Sequence, residues 1–297
     1  MGAQLRVVRR RIRSVQSTKK ITRAMELIAS SRIVKAQQRV EAARPYAIQL
    51  TAAMEDLARN AGALSHPLLE EREHPAKAAV LVCTSDRGLA GAYSANVIKA
   101  AERIVAKIRD RGLEPVLYVS GKKGNGYFRF RGASIREDWQ GHSEVPSYEV
   151  ARAIGTRLIE DFAAAEFDEL YCAYTDFRSA FTLRATVKRF LPISPEEVTG
   201  ASGDTVPPEY LFEPEPERIL DHLLPEYLIT KVYAALLESA ASENAARRRA
   251  MKAATDNADE LMKILVRQAN RARQDEITTE IMEIVGGAEA LSAATKE

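Results

Sequence analysis

The sequence predicts an α/β protein in which long N- and C-terminal helices pair as an antiparallel coiled coil and the middle of the chain folds around a mostly parallel sheet. Three observations carry that reading. Glycine and proline are absent from residues 3 to 44 and from the 60 residues 226 to 285, and both are costly inside a helix. Fourteen of the nineteen aromatic residues fall between Tyr93 and Phe190, where a mixed core would use them. Within those limits strand-like and helix-like segments alternate, the pattern of a sheet with helices on its faces.

The first element is the arm over residues 1–60. Leu5, Val8, Ile12 and Val15 keep alternate spacings of three and four, and Ala36, Val40, Ala43, Ala47, Leu50, Met54 and Leu57 resume them three heptads after Val15. Between the two runs, Lys19, Thr22 and Glu26 hold the strict seam positions, while Ile21, Met25 and Ile28 sit one place away. The apolar stripe is therefore expected to drift there. Pro45 is expected to bend the helix.

The middle, residues 76–193, opens with the buried strand KAAVLVCTS (77–85). An amphipathic helix (94–112) stopped by Gly112 follows, then the strand EPVLYVSG (114–121) and a weaker strand near 133–139. A helix over about 147–165 leads into the strand DELYCAYTDF (168–177) and the β-rich TLRATVKRFLPI (182–193). Residues 194–216 read as a loop dense in proline, glycine and acid.

The second arm covers 217–286, with Pro225 expected to kink or start it. Its seam reads Met251, Ala254, Ala258, Leu261, Leu265, Gln268 and Ala272, then shifts phase at Ile277, Ile281 and Ile284. At about 1.5 Å per residue, 226 to 285 would span roughly 90 Å. That exceeds the roughly 50 Å of a compact globule of this size. One such helix alone in water is marginal, so two in one chain most simply pack on each other.

Charge nearly cancels, with 43 basic and 41 acidic residues, but it is segregated. Residues 1–44 carry twelve Lys or Arg against two Glu, and 194–221 carry eight acids against Arg218. A basic arm suggests nucleic acid, yet no aromatics interleave with its arginines and they surround the helix rather than forming one face. An acidic protein partner fits better, and no nucleic acid is expected. No apolar run approaches the roughly 18 residues of a membrane span. Cys83 and Cys172 are too few for a disulfide framework and point to a reducing compartment. The arginine-rich start reads as mature protein rather than a targeting segment.

Candidate chemistry is thin. TSDRGLAGAYS follows the first strand where a doubly wound fold would bind phosphate, and GKKGNG (121–126) follows the second. Neither matches a phosphate-loop or dinucleotide pattern, and both read as structural turns. Asp86 is suggestive only as a cap or salt-bridge partner. His66, His74, His142 and His222 are far apart, so no metal, cofactor or catalytic triad is expected, and the chain is not expected to be an enzyme by itself.

The block QSTKKITRAMELIASSRIVKAQ followed by RPYA, the strand-turn TSDRGLAG, the segment YLFEPEPERILDHLLPEYL, and MKAATDNADELMKIL with ARQDEITTEIMEIVGG resemble the gamma subunit of bacterial F-type ATP synthase along essentially the whole chain. The resemblance implies a central rotor shaft whose terminal helices stand inside the ring of alpha and beta subunits. It also implies a Rossmann-like middle domain near the membrane, meeting the epsilon subunit and the membrane c ring. The chain would then be peripheral to the cytoplasmic face of the plasma membrane, with the nucleotide sites on other subunits. Carried over by motif, Met25, Arg273, Gln274, Thr278, Glu280, Glu283, Ile281 and Ile284 would meet the alpha/beta ring. Tyr210, Phe212 and Glu213 would meet the c ring and epsilon. The regulatory cysteine pair of chloroplast relatives has no counterpart here. An MGAQLR start points to an actinobacterial type.

Overall fold

The computed structural model describes residues 3–60, 66–177, 183–194 and 215–294. The elements run α1 (Ala3–Asn60), β1 (Lys77–Cys83), α2 (Tyr93–Asp110), β2 (Glu114–Ser120), α3 (Lys122–Phe130), β3 (Ile135–Trp139), α4 (Tyr148–Ala163), β4 (Glu169–Phe177), β5 (Leu183–Leu191) and α5 (Pro216–Ala294). Two compact units result, one of residues 1–28 with 248–297 and one of residues 29–247.

In the second unit the sheet order is β3-β2-β1-β4-β5. The first four strands are parallel and β5 returns antiparallel along β4, as the alternation of segments predicts. β1 is buried on both faces from Ala78 to Cys83, which explains why it reads as a continuous apolar run. Ala79, Leu81 and Cys83 join Tyr118, Leu170 and Cys172 on one face, under α4, α5 and the end of α1. Ala78, Val80 and Val82 pack on the other face against Val97, Ala101, Ile108 and Phe128 of α2 and α3. Ser147 caps α4, its Oγ accepting from the Val150 N–H at 3.4 Å. Gly155 lets α5 close on α4, since a Cβ there would lie 2.6 Å from Ile229 Cγ1.

The sequence reading takes GKKGNG as a turn, but the structure makes it the start of α3. Two glycines argue against a helix by propensity. Packing overrides them, because a Cβ on Gly124 would stand 2.8 Å from Thr84 Oγ1. Gly121 has φ of 101° and its missing Cβ leaves room for the Thr84 carbonyl. The second long helix begins at Pro216, one residue before the expected 217, holds Pro225 inside rather than at its start, and continues past the expected end at 286 through Gly286 and Gly287 to Ala294.

The first unit pairs the start of α1 with the end of α5. Thr22 Oγ1 and Thr255 Oγ1 are 2.7 Å apart, and Lys19 Nζ lies 2.5 Å from Asp259 Oδ1. Paired positions thus add to 277 or 278, an antiparallel register. The expected drift of the α1 stripe does not occur. Thr22 and Glu26 are buried beside Ala29 while Ile21 and Ile28 are 58% and 53% exposed. Local partners explain the tolerance: the two threonines bond each other, and Arg23 donates to Glu26 at 2.8 Å. On α5 the seam is Met251, Thr255, Ala258, Met262, Leu265, Ala269 and Ala272, with Leu261 outside it at 45% exposed. The sequence reading chose Ala254, Leu261 and Gln268 because apolarity alone does not separate spacings of three-four from four-three.

Candidate functional site

Two places could carry function: the crevice at the C-terminal ends of the strands, and the outer surface of the paired helices. In the crevice, β1 lies between β2 and β4, so the chain reverses direction across the sheet at the β1/β4 boundary. Doubly wound sheets receive ligands there.

The loop after β1 is bound into its own fold. Thr84 Oγ1 donates to the Ser120 carbonyl at 3.0 Å and accepts from the Gly124 N–H at 2.9 Å. The Asp86 carboxylate accepts three backbone N–H groups, from Lys122 at 3.1 Å and from Gly141 and Ser143 at 2.9 Å each. The Asp86 N–H donates to Ser143 Oγ at 2.9 Å. Burial pushes this carboxyl up, but the Gly141, Ser143 and Lys122 N–H groups outweigh it, and it titrates below the ordinary carboxylate range. A side-chain anion of the chain itself therefore occupies these three N–H donors. His142 Nε2 lies 3.0 Å from Ser120 Oγ, and burial lowers its basicity.

Helix α5 fills the β1/β4 side. Ser242 Oγ donates to the Thr175 carbonyl at 3.3 Å. Arg247 Nη2 donates to Glu243 Oε1 at 2.6 Å and to the Gly88 carbonyl at 3.4 Å. Ala246 packs on Ala90 and Tyr93. Where a nucleotide-binding relative of this topology would hold its ligand, this chain holds its own helix. The sequence reading of TSDRGLAGAYS as a structural turn agrees with that arrangement, whereas GKKGNG opens α3. It allowed Asp86 a cap's part, which the bond from the Lys122 N–H at the start of α3 fits, but gave Glu243 and Arg247 no role. Their only sequence signal is a Glu and Arg four apart in SENAAR, a spacing common on any solvated helix.

The second place is the surface of the paired helices. Arg273, Gln274, Thr278, Glu280, Ile281, Glu283 and Ile284 are all exposed on α5, and Met25 is half-buried on α1. Thr278 turns its hydroxyl back to the Gln274 carbonyl at 2.9 Å. By the register of the pairing, the start of α1 at Ala3 lies opposite about residue 274, so among the described residues most of the last five turns of α5 have no α1 residue across from them. There Ile281 is 54% and Ile284 72% exposed. A groove at this end is lined by Gln4, Leu5, Ala272, Asp275, Thr279 and Glu283. Tyr210, Phe212 and Glu213 lie outside the described residues.

Among the described residues, no three metal-ligating side chains gather, and no helix is long and apolar enough to cross a membrane.

Comparison with known proteins adds sequence and fold relationships. A family model described as ATP synthase matches residues 4–291. The chain is similar to the ATP synthase gamma chain of Thermobifida fusca, with 53% identity and 99% of each chain covered. It is also 53% identical to that of Mycolicibacterium smegmatis, over 99% of this chain and 100% of the relative. Among solved structures, the rotor of Euglena gracilis mitochondrial ATP synthase contains a chain that superposes with a TM-score of 0.66. That match has 14% identity and covers 93% of this chain and 100% of the other, so it speaks to fold.

Proposed function

This chain belongs to the ATP synthase gamma family, as its central-stalk, non-catalytic subunit, and we propose from that premise how its residues couple ring rotation to catalysis. Proton flow would turn a membrane c ring, and this shaft with it, inside a ring of alpha and beta subunits. One asymmetric shaft in a threefold ring presents a different face to each beta subunit. It thereby stabilises three conformations, and three nucleotide affinities, at once. Rotation permutes them.

The observation that carries the assignment of working surfaces is the unopposed end of α5 with its exposed Ile281 and Ile284. Large apolar side chains held out on a helix call for a partner. A sleeve of the alpha/beta ring supplies one without directional bonds that would favour a single angle. Arg273, Gln274, Thr278, Glu280 and Glu283 would make the polar contacts of that surface, and Met25 with exposed Ile21 and Ile28 would face beta lower down. The basic first arm suits an acidic beta segment there. Residues 1–60 and 217–286 would serve as the shaft and 76–193 as the carrier of the foot. Residues 194–216, with Tyr210, Phe212 and Glu213, would be the foot itself, meeting epsilon and the c ring. The chain would sit at the cytoplasmic face of the bacterial plasma membrane through that complex, without a cofactor or nucleic acid of its own.

The test is a photo-crosslinker at Ile281 in the native complex. The expected products join this chain to alpha or beta. Recovery of the chain free of those subunits, or bound to nucleic acid through residues 1–44, would contradict the reading.

A further inference from the structure

The boundary between the two units falls at residues 28/29 on α1 and 247/248 on α5. Just on the domain side of both breaks lies a cluster of charge that the coupling argument does not use. Glu144, in the loop between β3 and α4, is bridged on Oε2 by Arg32 of α1 and on Oε1 by Arg247 of α5, the latter at 3.3 Å. Arg87 of the loop after β1 approaches the same carboxylate at 3.6 Å from a largely exposed position. Arg247 is 5% exposed and Glu243 fully buried. Glu144 has a side chain only 16% exposed.

The cluster is held by geometry and is not saturated. Glu243 Oε2, Asn244 Oδ1 and Arg247 Nη1 have no hydrogen-bond partner among the described residues, so Arg247 faces Glu144 as an ion pair out of line for a bond. Arg247 Nη2 is committed to Glu243 and to the Gly88 carbonyl. A half-satisfied buried ionic layer is a poor source of stability compared with apolar packing of the same volume. It does fix position: one carboxylate receives a guanidinium from each terminal helix, four residues past the break on one and at the break on the other. Apolar contacts allow small sliding at little cost, whereas the loss of either bridge takes a charge partner from a carboxylate that is largely out of water.

We propose that Glu144 is a positioning residue of the shaft, the carboxylate through which the globular domain grips α1 and α5 where they leave it, so that this grip sets the shaft's torsional stiffness. The inference rests on the rotor reading. It concerns neither the nucleotide sites nor the ring contacts, so the steps of catalysis should be untouched by its loss.

The experiment uses the whole complex, immobilised by its alpha/beta ring, with a bead on this chain through Lys107→Cys. That site is exposed on α2, while Cys83 and Cys172 are buried. Angular variance of the bead during the pauses between steps reports compliance. Glu144→Gln, which keeps shape and removes charge, is expected to widen that variance roughly twofold with ATP hydrolysis rate unchanged. Arg32→Gln, at a partly exposed helix position that leaves the domain core intact, should widen it in the same direction, and Arg87→Gln should not. Unchanged variance in both Glu144→Gln and Arg32→Gln would overturn the proposal. A wild-type bead that never rotates would instead overturn the rotor reading.

Discussion

Asp86 holds three segments of chain together, and its contribution can be read from the pH dependence of stability. Its carboxylate pKa is depressed in the folded protein, as is that of Asp168. Burial pushes the Asp168 carboxyl up, but the N–H groups of Lys77 and Ala76 and the Arg72 guanidinium pull it below its ordinary value. The stability from both groups is therefore fully present above the ordinary carboxylate range and is lost as pH falls through the lowered values. Asp86→Asn should lose about 2 kcal/mol at pH 7, because an amide nitrogen cannot accept the N–H groups that one oxygen now serves. The deficit should shrink in acid, as chemical denaturation at pH 7 and pH 3 would show. Glu238 has the opposite sign. Burial, with Asp176 adding repulsion, pushes its carboxyl up to about 7. Its neutral form suits the fold, so stability is lost as pH rises towards and through that value. Glu238→Gln should gain about 2 kcal/mol at pH 8, allowing for partial exposure, and almost nothing at pH 4. Little of this was legible in the sequence. Asp86 stands in an evident turn, but the N–H groups it serves lie 36 to 57 residues onward, and only the folded sheet brings them back.

Among elements, the paired helices show what periodicity can and cannot fix. Their existence and antiparallel pairing follow from where glycine and proline are missing. The behaviour at Thr22 does not, because polar residues on a seam look like drift until a partner is seen. Thr255 on the opposite helix is that partner, 2.7 Å away. Each hydroxyl also has a carbonyl on its own helix, Lys19 for Thr22 at 3.1 Å and Met251 for Thr255 at 2.9 Å. Replacing both with valine of the same shape leaves neither hydroxyl without its mate, and the Lys19 and Met251 carbonyls keep the N–H partners of their own helices. The double variant Thr22→Val with Thr255→Val should accordingly be as stable as the parent or about 1 kcal/mol more stable in thermal unfolding. A loss would mean the polar pair specifies register rather than merely fitting it. Helix α3 marks the other limit, since GKKGNG reads as a turn by composition yet opens a helix whose Gly124 is required by the closeness of Thr84.

For the molecule as a whole, the fold class was legible, and the crevice at the strand ends holds a helix of the chain itself. Helix α5 occupies the switch point of the sheet and is itself one of the two long helices, so the place where related topologies bind a ligand here secures a shaft. The proposed partner surfaces were not legible from composition. Arg273, Glu280 and Ile281 came from motif resemblance, and the structure adds their exposure. The most direct test of the account is a video record of a bead on Lys107→Cys in the ring-immobilised complex supplied with ATP. The account predicts continued rotation in one direction that stops when ATP is withdrawn. A bead that stays fixed while the same complexes hydrolyse ATP would contradict it.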